Sequence, residues 1–178
     1  MIPATNLRHR ILGIDPGSRN TGFAVIDSDG RHSVRITSGC IRVGDQPWPG
    51  RLGLIFDRIA AIVAEYQPHE MAVEQLIFAR DPTAALKIGQ ARGAVLCAGL
   101  KGGVTVHEYS PKSVKLAVVG TGGAEKSQVQ HMVRVLLSLS ETPGEDEADA
   151  LAIALCHAHS MGLPTRKRAA ASWRDWRP

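Results

Sequence analysis

The chain has few cysteines and no long apolar run. Its 178 residues include three cysteines, Cys40, Cys97 and Cys156, and no two of them have the CxxC spacing. An odd, scattered set argues against a disulfide framework or a zinc site. No stretch of eighteen apolar residues is present, so we expect no transmembrane helix. The N-terminal MIPATNLRHR lacks the apolar core of a secretory signal, so we expect a cytoplasmic protein.

Charge is distributed unevenly along the chain. Residues 80–134 carry eight basic and three acidic side chains, a net charge of +5, whereas residues 135–159 carry five acidic side chains and no lysine or arginine. The last nineteen residues carry five basic and one acidic side chain. This pattern suits a protein that places a polyanion beside metal-binding carboxylates, although chance explains small charge differences of this kind equally well.

Hydrophobic patterning predicts strands and helices in a definite order. The predicted strands lie at 9–15, 21–27, 31–43, 69–75 and 103–110. The predicted helices lie at 51–67, at 82–100, from the Ser110–Pro111 start, at 125–138 and at 145–159. The short turn at 28–30 implies an antiparallel hairpin. We therefore expect an α/β fold with a mixed five-stranded sheet, three antiparallel strands first, and helices on both faces.

Four carboxylates stand where such a sheet would place a site. Asp15 ends the first strand and Glu74 ends the fourth, while Asp146 and Asp149 are three residues apart and share one face of the last helix. If the fold brings them together, their repulsion requires a cation, and oxygen ligands favour Mg²⁺ or Mn²⁺ over zinc. Two such ions about 4 Å apart clamp the attacking and leaving oxygens in phosphodiester cleavage.

Each carboxylate also has an ordinary structural explanation. Asp15 could be a turn residue, and Glu74 a surface charge at a strand end. The acidic residues at 145–147 could complement the helix dipole, which is commonly worth about 0.3–1 kcal/mol each. That explanation suits Glu145 and Glu147. It does not suit Asp149, which lies further along the helix among apolar neighbours.

Five sequence blocks occur in an order that resembles the RuvC family of Holliday-junction resolvases. The resemblance runs from about residue 10 to residue 160, and each block alone is weak evidence, whereas five in order are specific. The blocks are ILGIDPGSRNTGFAVID, AVEQ, ALKIGQARG, EYSPKSVKLAVVGTGGAEKSQVQHMV and DEADALAIA.

The resemblance implies a fold, a reaction and a set of site residues. The fold is RNase H-like, and the enzyme is a homodimer that nicks two strands of like polarity at a four-way junction. The catalytic and metal-binding tetrad falls on Asp15, Glu74, Asp146 and Asp149, which use Mg²⁺ or Mn²⁺, two ions per site. The resemblance also implies cooperation with the branch-migration proteins RuvA and RuvB.

Several basic residues are candidate contacts to DNA. Lys115 and Lys126 match positions of the family, and a lysine near the scissile phosphate offsets charge in the transition state. The alternative for each lysine is a solvated helix face. Further candidates for contacts to the DNA backbone, in or beside the same blocks, are Arg80, Lys87, Arg92 and Lys112.

One position departs from the family pattern. The family usually has an aromatic residue three positions after the glutamate, where it is thought to stack on an unpaired base. Here Ile77 occupies that position and Phe78 follows it. Either Phe78 stacks on the base, or Ile77 serves as an apolar wedge while Phe78 packs in the core.

Three other motifs are rejected. GTGGAEKS, from Gly120, resembles a phosphate-binding loop, but Glu125 replaces the last glycine and would repel phosphate. His157 and His159 are two residues apart and lie on different helix faces, which favours a helix-end role over a metal site. DPGS with NTG resembles the actin-like sugar kinases, whose two-domain fold needs a much longer chain.

The sequence therefore predicts a metal-dependent endonuclease that resolves Holliday junctions during recombination and repair, with water as nucleophile. One alternative is another RNase H-like nuclease acting on RNA–DNA hybrids or other branched DNA. The other is a junction-binding protein without catalytic activity, against which the intact tetrad argues. We expect a nuclease domain over residues 1–163 and a basic, flexible tail over residues 164–178.

Overall fold

The computed structural model describes residues 8–75 and 81–161. The predicted contacts by Ile77, Phe78 and Arg80, and the predicted tail, lie outside these residues. The strands are β1 (His9–Asp15), β2 (Asn20–Ser28), β3 (Ser33–Arg42), β4 (Glu70–Glu74) and β5 (Thr105–Tyr109). The helices are α1 (Gly50–Tyr66), α2 (Pro82–Lys101), α3 (Pro111–Val119), α4 (Lys126–Leu136) and α5 (Glu145–Ser160). No helix in the described part of the chain is long and apolar enough to cross a membrane.

The five strands form one mixed sheet in the order β3-β2-β1-β4-β5. The pairs β1–β2 and β2–β3 are antiparallel, whereas β1–β4 and β4–β5 are parallel. The parallel pairs arise because α1 and α2 carry the chain back across the sheet before β4 and β5. The predicted mixed sheet, with its three antiparallel strands first, is confirmed.

Side chains alternate between two hydrophobic cores, one on each face of the sheet. Ile11 of β1 and Ala72 of β4 pack in the core that α3, α4 and α5 cover. Their neighbours Leu12 and Met71 pack in the other core, beneath α1 and α2. Because strand side chains have a period of two, Asp15 and Glu74 point to the same face as Ile11 and Ala72, the α5 face.

Helix α3 begins where the sequence predicts. The Ser110 hydroxyl accepts a hydrogen bond from the Ser113 backbone N–H at 3.1 Å, and Pro111 occupies the first turn. The cap satisfies one of the free N–H groups at the helix start, and the proline has no N–H to satisfy. This start fixes the orientation of α3 directly after β5, with Lys115 at its centre.

Two glycines let α5 approach the sheet at backbone distance. A Cβ atom added to Gly13 of β1 would lie 2.3 Å from the carbonyl oxygen of Ala150, and one added to Gly22 of β2 would lie 1.9 Å from the carbonyl oxygen of Asp146. These distances are below any van der Waals contact, so only glycine fits at either position. The pairing of Asp15 with Gly22 then places the start of α5 over the end of β1.

We predict that Gly13→Ala lowers the free energy of unfolding by about 1–3 kcal/mol, because the added methyl group must push α5 away from β1. Cleavage should fall more than stability alone explains, since α5 carries two of the four candidate carboxylates. The matched control is Gly53→Ala in α1, where a Cβ meets nothing within 4 Å. That variant should be stabilised by about 0.5–1 kcal/mol. Urea unfolding of both variants checks this, and an equal effect of the two would contradict it.

Candidate active site

Asp15 and Glu74 end neighbouring parallel strands. Ile14 of β1 pairs with Val73 of β4, so Asp15 and Glu74 are each one residue beyond the last pair and lie side by side. Neighbouring strands are about 4.8 Å apart, and both carboxyl groups point to the α5 face. The strand ends alone therefore bring two carboxylates together, as the sequence predicts.

Helix α5 adds the carboxylate of Asp149. Ala148, Ala150 and Leu151 are buried against the sheet, and Asp149 is half-buried between them. The side chain of Asp149 keeps a third of its surface exposed. Its position is therefore set by the apolar residues on either side of it, which hold α5 down.

The three carboxylates line one cleft of about 370 Å³. Helices α3 and α4, opposite the strand ends, complete the cleft. Its lining residues are Asp15, Glu74, Asp149, Lys115, Lys126, Pro111, Val114 and Val129. Asp146 is not among them. Its carboxylate lies towards β3, where the Cys40 thiol donates a weak hydrogen bond at 3.5 Å. Asp146 still acts on the cleft electrostatically, because its charge raises the pKa of Asp15.

Burial and mutual repulsion raise the pKa values of the two strand-end carboxylates. Burial, followed by the charges of Asp149 and Asp146, raises the pKa of Asp15 to about 6. Burial, followed by the charges of Asp15 and Asp149, raises the pKa of Glu74 to about 7. Burial also raises the pKa of Asp149, although the charge of Lys126 opposes it. Concentrating negative charge here costs free energy that a cation would offset.

Both candidate lysines face the carboxylates. The Lys126 ammonium contacts the Glu145 carboxylate and lies 3.9 Å from an Asp149 oxygen. Lys115 lines the same cleft, and its charge lowers the pKa of Glu74 and of Asp149. Glu145 thus does more than complement the helix dipole, because it contacts Lys126 at the cleft. Spacing could not reveal this pair, whose members lie on different helices.

The other basic candidates divide into two kinds. Lys87 of α2 and Lys112 of α3 are exposed and free to meet a phosphate. Arg92 is instead engaged, because its guanidinium contacts the Glu108 carboxylate and donates to the Glu74 carbonyl oxygen at 3.3 Å. These contacts place Arg92 against the end of β4, which carries Glu74, and its contact to DNA stays a prediction.

His157 has a partner set that the sequence did not suggest. The sequence predicts a helix-end role for His157, whereas in the structure its Nε2 contacts Glu70 at the start of β4 and its ring lies against His107 of β5. Glu70, His107 and His157 form the one group in the described residues whose ligand atoms all lie within 4.8 Å of one another and could hold a metal ion.

The cleft offers carboxylate oxygens as its candidate metal ligands, at the strand ends of an RNase H-like fold. This combination is typical of metal-dependent nucleases. A family model described as crossover junction endodeoxyribonuclease RuvC matches residues 11–157. The chain therefore belongs to the RuvC family.

Relatives and solved structures agree with this assignment. A crossover junction endodeoxyribonuclease RuvC of Marinobacter nauticus is 59% identical over 149 residues, covering 84% of this chain and 85% of the relative. Its counterpart in Alkalilimnicola ehrlichii is 47% identical over 163 residues, covering 92% and 99%. The structure of Thermus thermophilus RuvC in complex with Holliday junction substrate is 36% identical, with a TM-score of 0.81, and the match covers 86% of this chain and 94% of that one.

We predict that Asp15→Asn stabilises the metal-free protein at pH 8. A carboxyl group whose pKa rises on folding disfavours the folded state when ionised. This penalty is absent well below the ordinary pKa of 3.8, grows as the pH rises, and is complete above about 6. Asp15→Asn should therefore gain about 1–2 kcal/mol at pH 8 in EDTA, allowing for screening, and little at pH 4.

Urea unfolding at the two pH values measures this difference. Asp57→Asn on the exposed side of α1 is the matched control, and it should change stability little at either pH. Mg²⁺ should reduce the difference in stability between the two proteins, because it should stabilise the wild type more than Asp15→Asn. An Asp15→Asn protein less stable than wild type at pH 8 in EDTA would show that burial and repulsion of the Asp15 charge do not destabilise the folded state.

Proposed function

We propose that the cleft lined by Asp15, Glu74 and Asp149 hydrolyses phosphodiester bonds at four-way DNA junctions. The chain is a crossover junction endodeoxyribonuclease by family, and resolution of Holliday junctions is the reaction of that family. One observation carries the assignment of the site: three carboxylates from three separate elements share a cleft with two lysines. An ordinary surface charge at a strand end would not be expected to share a cleft with other carboxylates and lysines.

The donor set of the cleft fits hard divalent cations. Asp15, Glu74 and Asp149 would hold Mg²⁺ or Mn²⁺ through oxygen alone, and Asp146, whose carboxylate lies towards β3, stays a predicted ligand. Bound there, such ions lower the pKa of water and offset charge on the phosphate oxygens. The raised pKa values of Asp15 and Glu74, which result first from burial and then from neighbouring carboxylates, support this reading, because a bound cation would favour the ionised form of each group.

The two lysines are placed to act on the phosphate. Lys115 and Lys126 face the carboxylates across the cleft, so a phosphodiester that enters it meets positive charge on the helix side. The Glu145 carboxylate also contacts the Lys126 ammonium group, but both side chains are largely exposed, so the pair restrains the lysine only weakly. A lysine beside the phosphate stabilises the negative charge that develops in the transition state.

Recognition of the junction extends beyond the cleft. The Thermus protein was solved with a Holliday junction substrate, and we infer that this chain binds the same kind of substrate. Exposed Lys87 and Lys112 are candidate contacts to the DNA backbone, and base contacts by Ile77 or Phe78 stay predictions. A homodimer is part of the proposal, because a junction has two strands to be cut and one copy has one such cleft. RuvA and RuvB stay partners expected from the family resemblance.

A substrate panel tests the reaction. Purified protein is mixed with a four-way junction, a linear duplex of the same sequence and an RNA–DNA hybrid, each with Mg²⁺ or EDTA. We expect paired nicks in the junction with Mg²⁺ only. Preferred cleavage of the hybrid would favour the alternative nuclease, and tight junction binding without cleavage in Mg²⁺ or Mn²⁺ would favour a binding protein.

We predict that Asp149→Asn abolishes cleavage and leaves junction binding nearly intact. A candidate metal ligand is lost, so the rate should fall at least about 100-fold. Binding should hold or improve, because one negative charge facing a polyanion is removed. Asp57→Asn, the same chemical change on exposed α1, should cleave as the wild type does. Cleavage by Asp149→Asn at the wild-type rate would refute the assignment of the cleft.

The lysines can be separated into catalytic and binding roles by single-turnover cleavage with enzyme in excess. We predict that Lys115→Ala or Lys126→Ala slows cleavage of bound junction, since positioned charge is often worth several kcal/mol in a transition state. Lys87→Ala should instead weaken binding and flatten its salt dependence by about one charge. Lys101→Ala, which removes a cation over the ring of Phe56 on the other face of the sheet, is the control. Wild-type rates for both cleft variants would leave the lysines as binding residues only.

A further inference from the structure

A second group of metal-ligating side chains lies at the opposite end of the sheet from the acidic cleft. Glu70 begins β4, His107 lies in the middle of β5, and His157 is near the end of α5. Glu70 and Glu74 are four residues apart on one strand, which separates the two groups by about 13 Å. Both groups face α5, whose first turns serve the cleft and whose last turns carry His157.

Three imidazole nitrogens converge on the carboxylate of Glu70. The Nε2 atom of buried His157 contacts Glu70 Oε2 directly. The Nε2 atom of His107 lies 3.7 Å from Oε1, and that of His9 lies 3.5 Å from Oε2. These distances are close to the separation of about 3.3–3.5 Å between ligands around a tetrahedral Zn²⁺.

Two of these nitrogens are orphaned. The Nε2 atoms of His9 and His107 are shielded from solvent and have no hydrogen-bond partner among the residues that the structure describes. A buried polar atom without a partner typically costs about 1–3 kcal/mol, so proteins rarely leave two of them side by side. An ion bound to Glu70 and His157 would give the His107 nitrogen a partner.

The ring of His157 is oriented by a hydrogen bond to its other nitrogen, as is usual for metal-bound histidines. Its Nδ1 atom shares a hydrogen bond of 2.7 Å with the hydroxyl of Tyr109. That bond holds the ring and directs Nε2 towards Glu70 and His107. Metal-ligating histidines typically make such a bond with their other nitrogen, which fixes the tautomer.

The geometry points to a second metal site, formed by Glu70, His107 and His157, that takes a divalent transition ion of the Zn²⁺ type. Two imidazole nitrogens and one carboxylate, with a water as fourth ligand, suit Zn²⁺ and its neighbours, whereas Mg²⁺ prefers oxygen alone. Neutral His157 can carry its one ring proton on Nδ1, where the Tyr109 hydroxyl oxygen accepts it, so the lone pair of Nε2 is free to bind the ion. The ion would tie the far end of α5 to β4 and β5.

The test is a Zn²⁺ titration of the full chain in saturating Mg²⁺, which occupies oxygen-only sites. Equilibrium dialysis gives the stoichiometry, and thermal unfolding gives the stabilisation. We expect one Zn²⁺ per chain and a higher Tm, because an ion that binds only the folded state stabilises it. Glu70→Gln and His107→Gln should each weaken Zn²⁺ binding at least about tenfold and remove the rise in Tm.

Matched controls separate this site from other ligands of the chain. His131→Gln, on exposed α4, and Cys97→Ser, which removes an exposed thiol, should bind Zn²⁺ as the wild type does. Asp149→Asn should also bind it normally, because the acidic cleft is a different site. Zn²⁺ binding that survives Glu70→Gln and His107→Gln, or that is lost with Cys97→Ser or Asp149→Asn, would overturn the proposal.

Co²⁺ provides a readout that needs no variant. Bound by two imidazoles, a carboxylate and a water, Co²⁺ should give the strong visible absorption of a tetrahedral site, and Zn²⁺ should displace it. The spectrum keeps the proposal testable if Glu70→Gln does not fold. Failure of the wild type to bind stoichiometric Zn²⁺ or Co²⁺ would show that the cluster holds a shared proton only.

Discussion

The site depends on one constraint, the close packing of α5 against the sheet. Gly13 and Gly22 let the helix backbone approach β1 and β2 more closely than any side chain would allow. Buried alanines and leucines along α5 fill the remaining space, so the helix has no freedom to shift. Asp149 reaches Asp15 because of this packing. A polar site is thus positioned by apolar contacts and by the absence of two side chains.

The burial and mutual repulsion of the carboxylates oppose this packing. The carboxylates of the cleft are pressed together by the fold, and burial with repulsion raises the pKa values of Asp15 and Glu74. Lys115 and Lys126 offset part of the charge, and Glu145 contacts Lys126. The hydrophobic core supplies the stability that lets the protein keep such a cluster. Affinity for a cation follows from the same repulsion, since binding one relieves it.

Helix α5 carries two chemically distinct groups, one at each end. Carboxylates at its start face the parallel strand ends, and His157 near its end meets Glu70 and His107. Oxygen alone at one end and mostly nitrogen at the other would sort hard from borderline cations. Arg92 links α2 to the end of β4, because it donates a hydrogen bond to the Glu74 carbonyl oxygen and contacts the Glu108 carboxylate.

The order of strands and helices, with boundaries within a few residues, could be predicted from the sequence by itself, since hydrophobic periodicity and caps such as Ser110–Pro111 are local signals. Ordered motifs added the family, and with it the candidate carboxylates. The tertiary structure alone decided which charges meet. It paired Lys126 with Glu145, engaged Arg92 with Glu108, set Asp146 to one side of the cleft and gathered Glu70, His107 and His157. These contacts join residues far apart in the chain, and their geometry depends on strand register and on how closely a helix can approach the sheet, neither of which any local pattern records.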